Sequence, residues 1–239
     1  VTQSPLALIT GANKGLGLET ARQLAALGYT VLLGARKQAE GQAAAATIGP
    51  QAHFLPLDMA SPASIQAAAQ SIATQFGRLD VLVNNAGIGP DNGIKPSEAP
   101  MELIRQTFET NVFGLVHLTQ ALLPLLRQSP HGRIVNVSSV LGSLTVNSDP
   151  NADLGPWRSF GYNGSKAAVN MFTATLAAEL KSTPIKVNSA HPGWVKTDLG
   201  GQAAPLEVVD GAKTSVRLAT LPDDGPTGGF FHFDDTLPW

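Results

Sequence analysis

Tyr162 and Lys166 lie four residues apart in the stretch Phe160 to Leu180, FGYNGSKAAVNMFTATLAAEL, and that spacing on a helix makes their side chains neighbours. A phenol has a pKa of about 10, so proton exchange near neutral pH requires a shift of roughly three units, about 4 kcal/mol. A lysine charge about 4 Å away supplies roughly that amount at an effective dielectric of 20. Burial opposes it by disfavouring the phenolate, so the lysine must be close, and a second positive charge would assist. An ordinary amphipathic helix also carries such a pair by chance, and the rest of the chain must decide.

The elements that would position this pair run in strict alternation. Leu6 to Thr10 is an apolar run that ends in Thr10-Gly11-Ala12-Asn13-Lys14-Gly15-Leu16-Gly17, and LETARQLAALG follows with the period of a buried helix face. Strand, glycine turn and helix in that order suit a phosphate, because glycines admit close backbone approach and a helix start offers free N–H groups. The spacing G-x-x-x-G-x-G differs from the usual dinucleotide fingerprint, so a plain strand-to-helix turn is the competing reading. The next strand, Tyr29 to Gly34, leads to Ala35-Arg36-Lys37 where an NAD-binding unit carries an acidic residue. Arg36 and Lys14 either hold a 2′-phosphate or are solvated surface cations.

Further along, a helix around Ala39 to Thr47 precedes a strand at His53 to Leu57. Asp58 stands at the end of that strand, before the helix-start signal Ser61-Pro62. Leu79 to Val83 reads as a strand buried on both faces and ends in Asn84-Asn85-Ala86-Gly87, small residues that let a ribose and diphosphate lie across the strand end. Asn84 serves equally well as a tie between strands. Met101 to Arg127 is helical by period, with Asn111 interrupting the apolar face among Val112, Phe113, Leu115 and Leu118. Asn111 is either a satisfied packing residue or a ligand of a broken backbone turn that holds a water. Gly132 to Val137 delivers Ser138-Ser139 to a strand end, Ile185 to Ala190 is a sixth strand, and Gly228 to Phe233 a last one. The pattern predicts an α/β fold, a doubly wound Rossmann-type parallel sheet of about seven strands in a single domain over 1–239. Cofactor-binding elements fall mainly in 5–115 and catalytic and substrate elements in 132–239.

Composition narrows the class. At 239 residues and 43% hydrophobic content the chain suits one large domain, and a net charge of −2 gives no footprint for nucleic acid or an anionic membrane. With no cysteine, and five histidines lacking ligand spacing, thiol chemistry and a metal site are not expected. No run is long enough to cross a bilayer, and a soluble, cytoplasmic protein is expected.

Together, TGANKGLG at 10–17, NNAG at 84–87, Asn111, NVSSVLG at 136–142, YNGSK at 162–166 and HPGWVKTDL at 191–199 resemble the short-chain dehydrogenase/reductase family across essentially the whole chain. ANKGLGLETA, the arginine after the second strand, PGWVKTDL and the terminal Trp239 resemble its NADPH-dependent carbonyl-reductase branch. The resemblance implies that Tyr162 protonates a carbonyl oxygen, that Lys166 lowers its pKa and binds the nicotinamide ribose, and that Ser139 orients the same oxygen. It implies that Asn111 holds a relay water. Gly11, Asn13, Lys14, Gly15, Leu16 and Gly17 would form the pyrophosphate loop, with Arg36 on the 2′-phosphate. Asp58 would meet the adenine, Asn85, Ala86 and Gly87 the ribose side, and Pro192, Gly193, Val195 and Thr197 the nicotinamide end. An oxidised nicotinamide ring is the second positive charge that the phenol needs.

The expected activity is NADPH-dependent reduction of a ketone or aldehyde. A silent NADP(H)-binding sensor is the alternative, and an NAD-linked alcohol oxidase conflicts with Arg36. Leu141 and Trp194, with Trp157 and Leu199, suggest an apolar substrate wall. Twenty-two residues separate Ser139 from Tyr162, an inserted loop with Pro150, Gly155 and Pro156. Such a loop is expected to border the substrate entrance and to favour a monomer over a dimer or tetramer.

Overall fold

The computed structural model describes residues 4–152 and 154–239; Val1 to Gln3 and, within the inserted loop, Asp153 lie outside the described residues. Strand β1 (Leu6–Thr10) is followed by helix α1 (Gly15–Ala26), β2 (Thr30–Ala35), α2 (Gln38–Ile48), β3 (Ala52–Pro56), α3 (Pro62–Phe76) and β4 (Val81–Asn84). Then come α4 (Met101–Phe108), α5 (Gly114–Leu126), β5 (Arg133–Val137), a short α6 (Leu144–Ser148), α7 (Phe160–Glu179), β6 (Lys186–Ala190), α8 (Val208–Gly211), α9 (Lys213–Ala219), β7 (Phe230–His232) and β8 (Asp235–Thr236).

The strands form one sheet in the order β3-β2-β1-β4-β5-β6-β7-β8. Every pairing is parallel except β7 with β8. The eighth strand extends the expected seven: Phe231 pairs with Thr236 and His232 with Asp235 around a tight turn in which Phe233 adopts φ 48°. Such turns are usually marked by Asn-Gly or Asp-Gly, and Phe233-Asp234 gives no such signal.

Period-two alternation sends successive side chains to opposite faces of the sheet. Leu8, Leu82, Ile134 and Val187 pack on one side with Ile65 and Ile72 of α3, Leu118 and Leu122 of α5, and Val169 and Leu176 of α7. Ala7, Ile9, Val83 and Val135 pack on the other with Ala21 and Leu24 of α1, Ala44 of α2 and Leu218 of α9. Two apolar layers around one sheet are what makes the fold doubly wound. Because β1 lies between β2 and β4, the chain reverses direction across the sheet there, and a crevice opens at the carboxyl ends of the strands.

A buried polar chain fixes how α7 sits on the sheet. Asn84 Nδ2 donates to Asn136 Oδ1 at 2.9 Å, and Asn136 Nδ2 donates to Thr173 Oγ1 at 2.9 Å. Ser189 Oγ donates to the same Thr173 oxygen at 2.8 Å. Thr173 lies on the face of α7 that meets the sheet, so these bonds set the rotation of the helix that carries Tyr162 and Lys166. The long helix expected from Met101 to Arg127 runs continuously to Leu126, widened by a π-turn at Glu109–Phe113 with Asn111 at its centre. Among the described residues no helix is long and apolar enough to cross a membrane.

Thr173→Val keeps the shape of the side chain and leaves two buried donors without their acceptor. It is expected to cost about 1–3 kcal/mol, read as a lower midpoint of urea unfolding at unchanged slope.

Candidate active site

The crevice is a cleft of about 1390 Å³ running from the glycine turn to the insertion before α7. Gly11, Gly15 and Gly17 line one end with Asn13, Lys14 and Leu16. Gly11 and Gly15 adopt φ of 65° and 55°, and a Cβ on Gly17 would stand 2.5 Å from Asn85 Nδ2 and 2.6 Å from the Gly11 carbonyl. The turn therefore presents bare backbone at the start of α1, which fits a diphosphate. Asn85 supports it from behind, with Nδ2 donating to the Thr10 carbonyl at 2.8 Å, while the Thr10 hydroxyl accepts the Asn85 and Ala86 N–H groups.

The two cations expected at this end divide. Arg36 is exposed, lines the cleft and has no hydrogen-bonded or salt-bridged partner among the described residues. Lys14 does not share its situation: its ammonium donates to Asp198 at 2.5 Å across the cleft mouth, and that carboxylate raises its pKa. Asn13 is likewise engaged, donating through Nδ2 to Glu40 at 2.9 Å, and Lys37 donates to the other Glu40 oxygen. Among the described residues Arg36 is thus the cation left without a partner at this end of the cleft. Asp58 lines the cleft while one of its oxygens accepts the Ala60 N–H, so it caps its turn and keeps a second oxygen for a ligand. Asn84, by contrast, is interior and belongs to the sheet.

At the other end Tyr162, Ser139 and Lys166 meet. Tyr162 keeps 9% of its surface, and both it and Ser139 line the cleft. Burial pushes the phenol up to about 12, with a hydrogen bond to the Ser139 hydroxyl drawing it part of the way back. Lys166 is buried too, and burial pulls its pKa down to about 8. Its Nζ donates to the Val137 carbonyl at 2.7 Å and stands 5.7 Å from the centroid of the Tyr162 ring. Desolvation dominates here in place of the lowering by lysine that the spacing leads one to expect, and the protein by itself holds the tyrosine as a protonated phenol. Ser138 is turned inward, its hydroxyl donating to the Lys166 carbonyl, while Ser139 faces the cleft.

Asn111 is buried and its amide is heavily used. Oδ1 accepts the Ile88 N–H at 2.9 Å, and Nδ2 donates to the Ile88 carbonyl at 2.8 Å and to Ser165 Oγ at 3.0 Å. Ala86 and Gly87 line the cleft beside it, and a Cβ on Gly87 would come within 3.4 Å of Lys166 Nζ. The segment after β6 closes the far wall with Pro192, Gly193, Val195 and Thr197. Gly193 adopts φ 84°, and Val195 bridges to Leu206. Leu141, Trp157, Trp194 and Leu199 complete an apolar stretch. The Trp157 and Trp194 rings meet edge to face at 5.8 Å, and the Trp194 indole donates to the Gly200 carbonyl at 2.7 Å. Asn163 Nδ2 donates to the Trp157 carbonyl at 2.8 Å, so the insertion folds back on the start of α7.

Two residues of this region had no assigned role in the sequence. His191 is held neutral with a pKa lowered to about 4, first by burial and then by His232, and its Nδ1 accepts the Val140 N–H at 3.3 Å. It ties the turn that carries Ser139 to the end of β6. Asp91 is the other; its sequence, Pro90-Asp91-Asn92-Gly93, reads only as a surface turn. Among the described residues no cluster of side chains could hold a metal ion.

With this geometry in place, comparison with known proteins gives one answer. The family model for short chain dehydrogenases matches residues 5–206, and the chain belongs to that family. It is 41% identical over 225 residues to short-chain dehydrogenase anuI of Penicillium roqueforti, covering 90% of this chain and 88% of that one. It is 34% identical over 278 residues to carbonyl reductase [NADPH] 1 of Mus musculus, covering 98% of both chains. The crystal structure of NADPH-bound carbonyl reductase from chicken fatty liver superposes with a TM-score of 0.85 at 30% identity, over the full length of each chain.

The folded-state pKa of Lys166, about 8, lies below the ordinary lysine value of 10.5, so burying its charge costs stability in full below about pH 8, and the cost vanishes as pH rises towards 10.5. Lys166→Met is accordingly expected to raise the melting temperature relative to the parent at pH 7, with the advantage shrinking at pH 10. Equal advantages at both pH values would contradict a buried ammonium.

Proposed function

We propose that this protein is an NADP(H)-dependent oxidoreductase that reduces a ketone or aldehyde to the alcohol, with Tyr162 as the general acid. The observation that carries the reading is the Ser139–Tyr162 hydroxyl pair on the cleft wall with the Lys166 ammonium buried behind it. The relatives named as carbonyl reductases with NADPH support the same chemistry.

The residues present fit the cofactor. Gly11, Gly15 and Gly17, with Leu16 at the helix start, would hold the pyrophosphate, and Arg36 the 2′-phosphate. Asp58, Asn85, Ala86 and Gly87 would border the adenosine side, and Pro192, Gly193, Val195 and Thr197 the nicotinamide. When bound, the reduced nicotinamide supplies the hydride.

What the chain itself contributes is a proton and its placement. A phenol held at about 12 stays protonated at neutral pH and is a donor to the carbonyl oxygen as negative charge develops there. Ser139 donates a second hydrogen bond to that oxygen and orients it. Lys166, with a pKa of about 8, is largely charged at pH 7; it stabilises the phenolate left behind and binds the ribose. Asn111 Oδ1 keeps one lone pair for the water that would link Lys166 to solvent. Leu141 and Trp194, with Trp157 and Leu199, form an apolar wall suited to an aromatic or aliphatic carbonyl. The insertion that delivers Trp157 covers the start of α7, which is the basis for reading the chain as a monomer.

Tyr162→Phe is expected to abolish turnover, by about 10³-fold or more, across a panel of aromatic and aliphatic carbonyls while leaving NADPH affinity within twofold. Retention of most turnover would transfer the acid role to another residue. A parent that binds NADPH and turns over nothing on the panel would instead be a sensor.

NADPH is expected to bind well ahead of NADH, and Arg36→Asp to narrow or reverse that order by repelling the phosphate and offering the ribose an acceptor. Equal affinity of the parent for both cofactors contradicts the assignment.

A further inference from the structure

The helix carrying Tyr162 is not capped by its own N-cap residue. Ser159 occupies that position with extended backbone, φ −91° and ψ 144°, yet its side chain caps nothing. Asp91, from the segment after β4, does so instead: Oδ2 accepts the Gly161 N–H at 2.6 Å and Oδ1 accepts the Tyr162 N–H at 3.1 Å. The carboxylate is fully buried, and no cation among the described residues pairs with it, so its charge is met by the positive end of α7. Gly161 permits the approach, because a Cβ there would lie 2.7 Å from Asp91 Oδ2.

The segment that presents Asp91 is held as firmly. Asn92 N–H bonds back to the Gly89 carbonyl, and Ile94 N–H to that of Asp91. Ile88 is gripped on both its N–H and its carbonyl by Asn111, whose Nδ2 also reaches Ser165 Oγ, and Ser165 Oγ donates to the Tyr162 carbonyl at 2.7 Å. Both backbone polar groups of Tyr162 therefore lead to the same four residues, the N–H directly to Asp91 and the carbonyl through Ser165 and Asn111 to Ile88. Ile88, Gly89 and Pro90 of that segment line the cleft.

We propose that Asp91 is a positioning residue: it locks the backbone of Tyr162 to the cleft-lining segment 88–91, so that the phenol is held where it can deliver its proton. The inference rests on Tyr162 being the proton donor. Displacements of about 1 Å at a reacting group cost on the order of a hundredfold in rate, so a residue that never touches substrate can control turnover.

Two variants test it from opposite directions. Asp91→Asn turns an amide NH₂ towards one of the two N–H groups, whereas Gly161→Ala improves helix propensity yet pushes the carboxylate away. In both, turnover per bound NADPH is expected to fall at least about tenfold, with KM for the carbonyl within about threefold and a larger solvent deuterium isotope effect on kcat as proton transfer becomes limiting. Cofactor affinity is expected to stay within twofold. A role in helix stability alone predicts that Gly161→Ala matches the parent, and turnover within twofold of the parent in both variants overturns the proposal. Deuterium exchange of the Gly161 and Tyr162 amides gives a reading that needs no turnover. Exchange faster by at least about tenfold in Asp91→Asn, with the Val169 amide unchanged, supports the lock, and unchanged exchange at both amides overturns it. A parent inactive on every carbonyl is the failure of the proposed function, and the exchange result still decides the role of Asp91.

Discussion

Burying an ammonium beside a phenol is the constraint on which the rest of the structure turns. Removing Lys166 from water costs enough to pull its pKa to about 8, and the same dry surroundings push Tyr162 up to about 12. Neither group would persist there without compensation. The Val137 carbonyl accepts from the ammonium at 2.7 Å at the very end of β5, which requires that strand to finish where α7 crosses it. A Cβ on Gly142 would sit 2.6 Å from the Lys166 backbone, so the turn after Ser139 must be backed by a glycine for the strand end and helix to close up. The pair and the strand ends are one packing problem.

The sheet solves it by seating α7 through both apolar packing and directed hydrogen bonds. Apolar contacts along Val169 and Leu176 press the helix onto the sheet, and apolar contact alone leaves rotation about the helix axis weakly determined. The Asn84–Asn136–Thr173–Ser189 chain supplies direction, since its buried hydrogen bonds reach Thr173 on the sheet-facing side of the helix. At the other end of the helix Asp91 and Ser165 hold the Tyr162 backbone. On the proposed function, turnover and stability are in tension at Lys166: its charge is a cost to the fold at pH 7 and would stabilise the phenolate left by proton transfer.

Much of this was legible in the sequence because it is local or periodic. Leu6–Thr10 followed by glycines and an amphipathic helix can hardly be anything but the first β-turn-α unit. The spacing of Tyr162 and Lys166 predicted that they would be neighbours on one helix, which they are, and Asn111 on an apolar helix face signalled the irregularity that proves to be a π-turn. What stayed hidden depends on residues remote in the chain. Lys14 lines the cleft as expected, and its ion pair with Asp198, 184 positions away, could not be read from the chain. Asp91 sits in a run of turn formers, and nothing nearby indicates that its carboxylate caps a helix 70 positions on. Strand β8 is two residues long after a turn made by a phenylalanine at positive φ, so neither length nor turn chemistry announced it. The balance of pKa effects was hidden as well: spacing shows that a lysine is near, and only packing shows that desolvation sets the phenol.

The chain holds two tyrosines, Tyr29 and Tyr162, which makes the central claim directly measurable. In a Tyr29→Phe variant the ultraviolet absorbance of phenolate reports Tyr162 alone. Burial without a second positive charge predicts no phenolate up to about pH 10.5 in the protein by itself, since the unperturbed group titrates at about 10. Saturation with NADP⁺ is predicted to bring phenolate absorbance in at a midpoint at least about two units lower. A Tyr162 that titrates near 10 without the cofactor, or whose midpoint NADP⁺ leaves unmoved, would contradict the account.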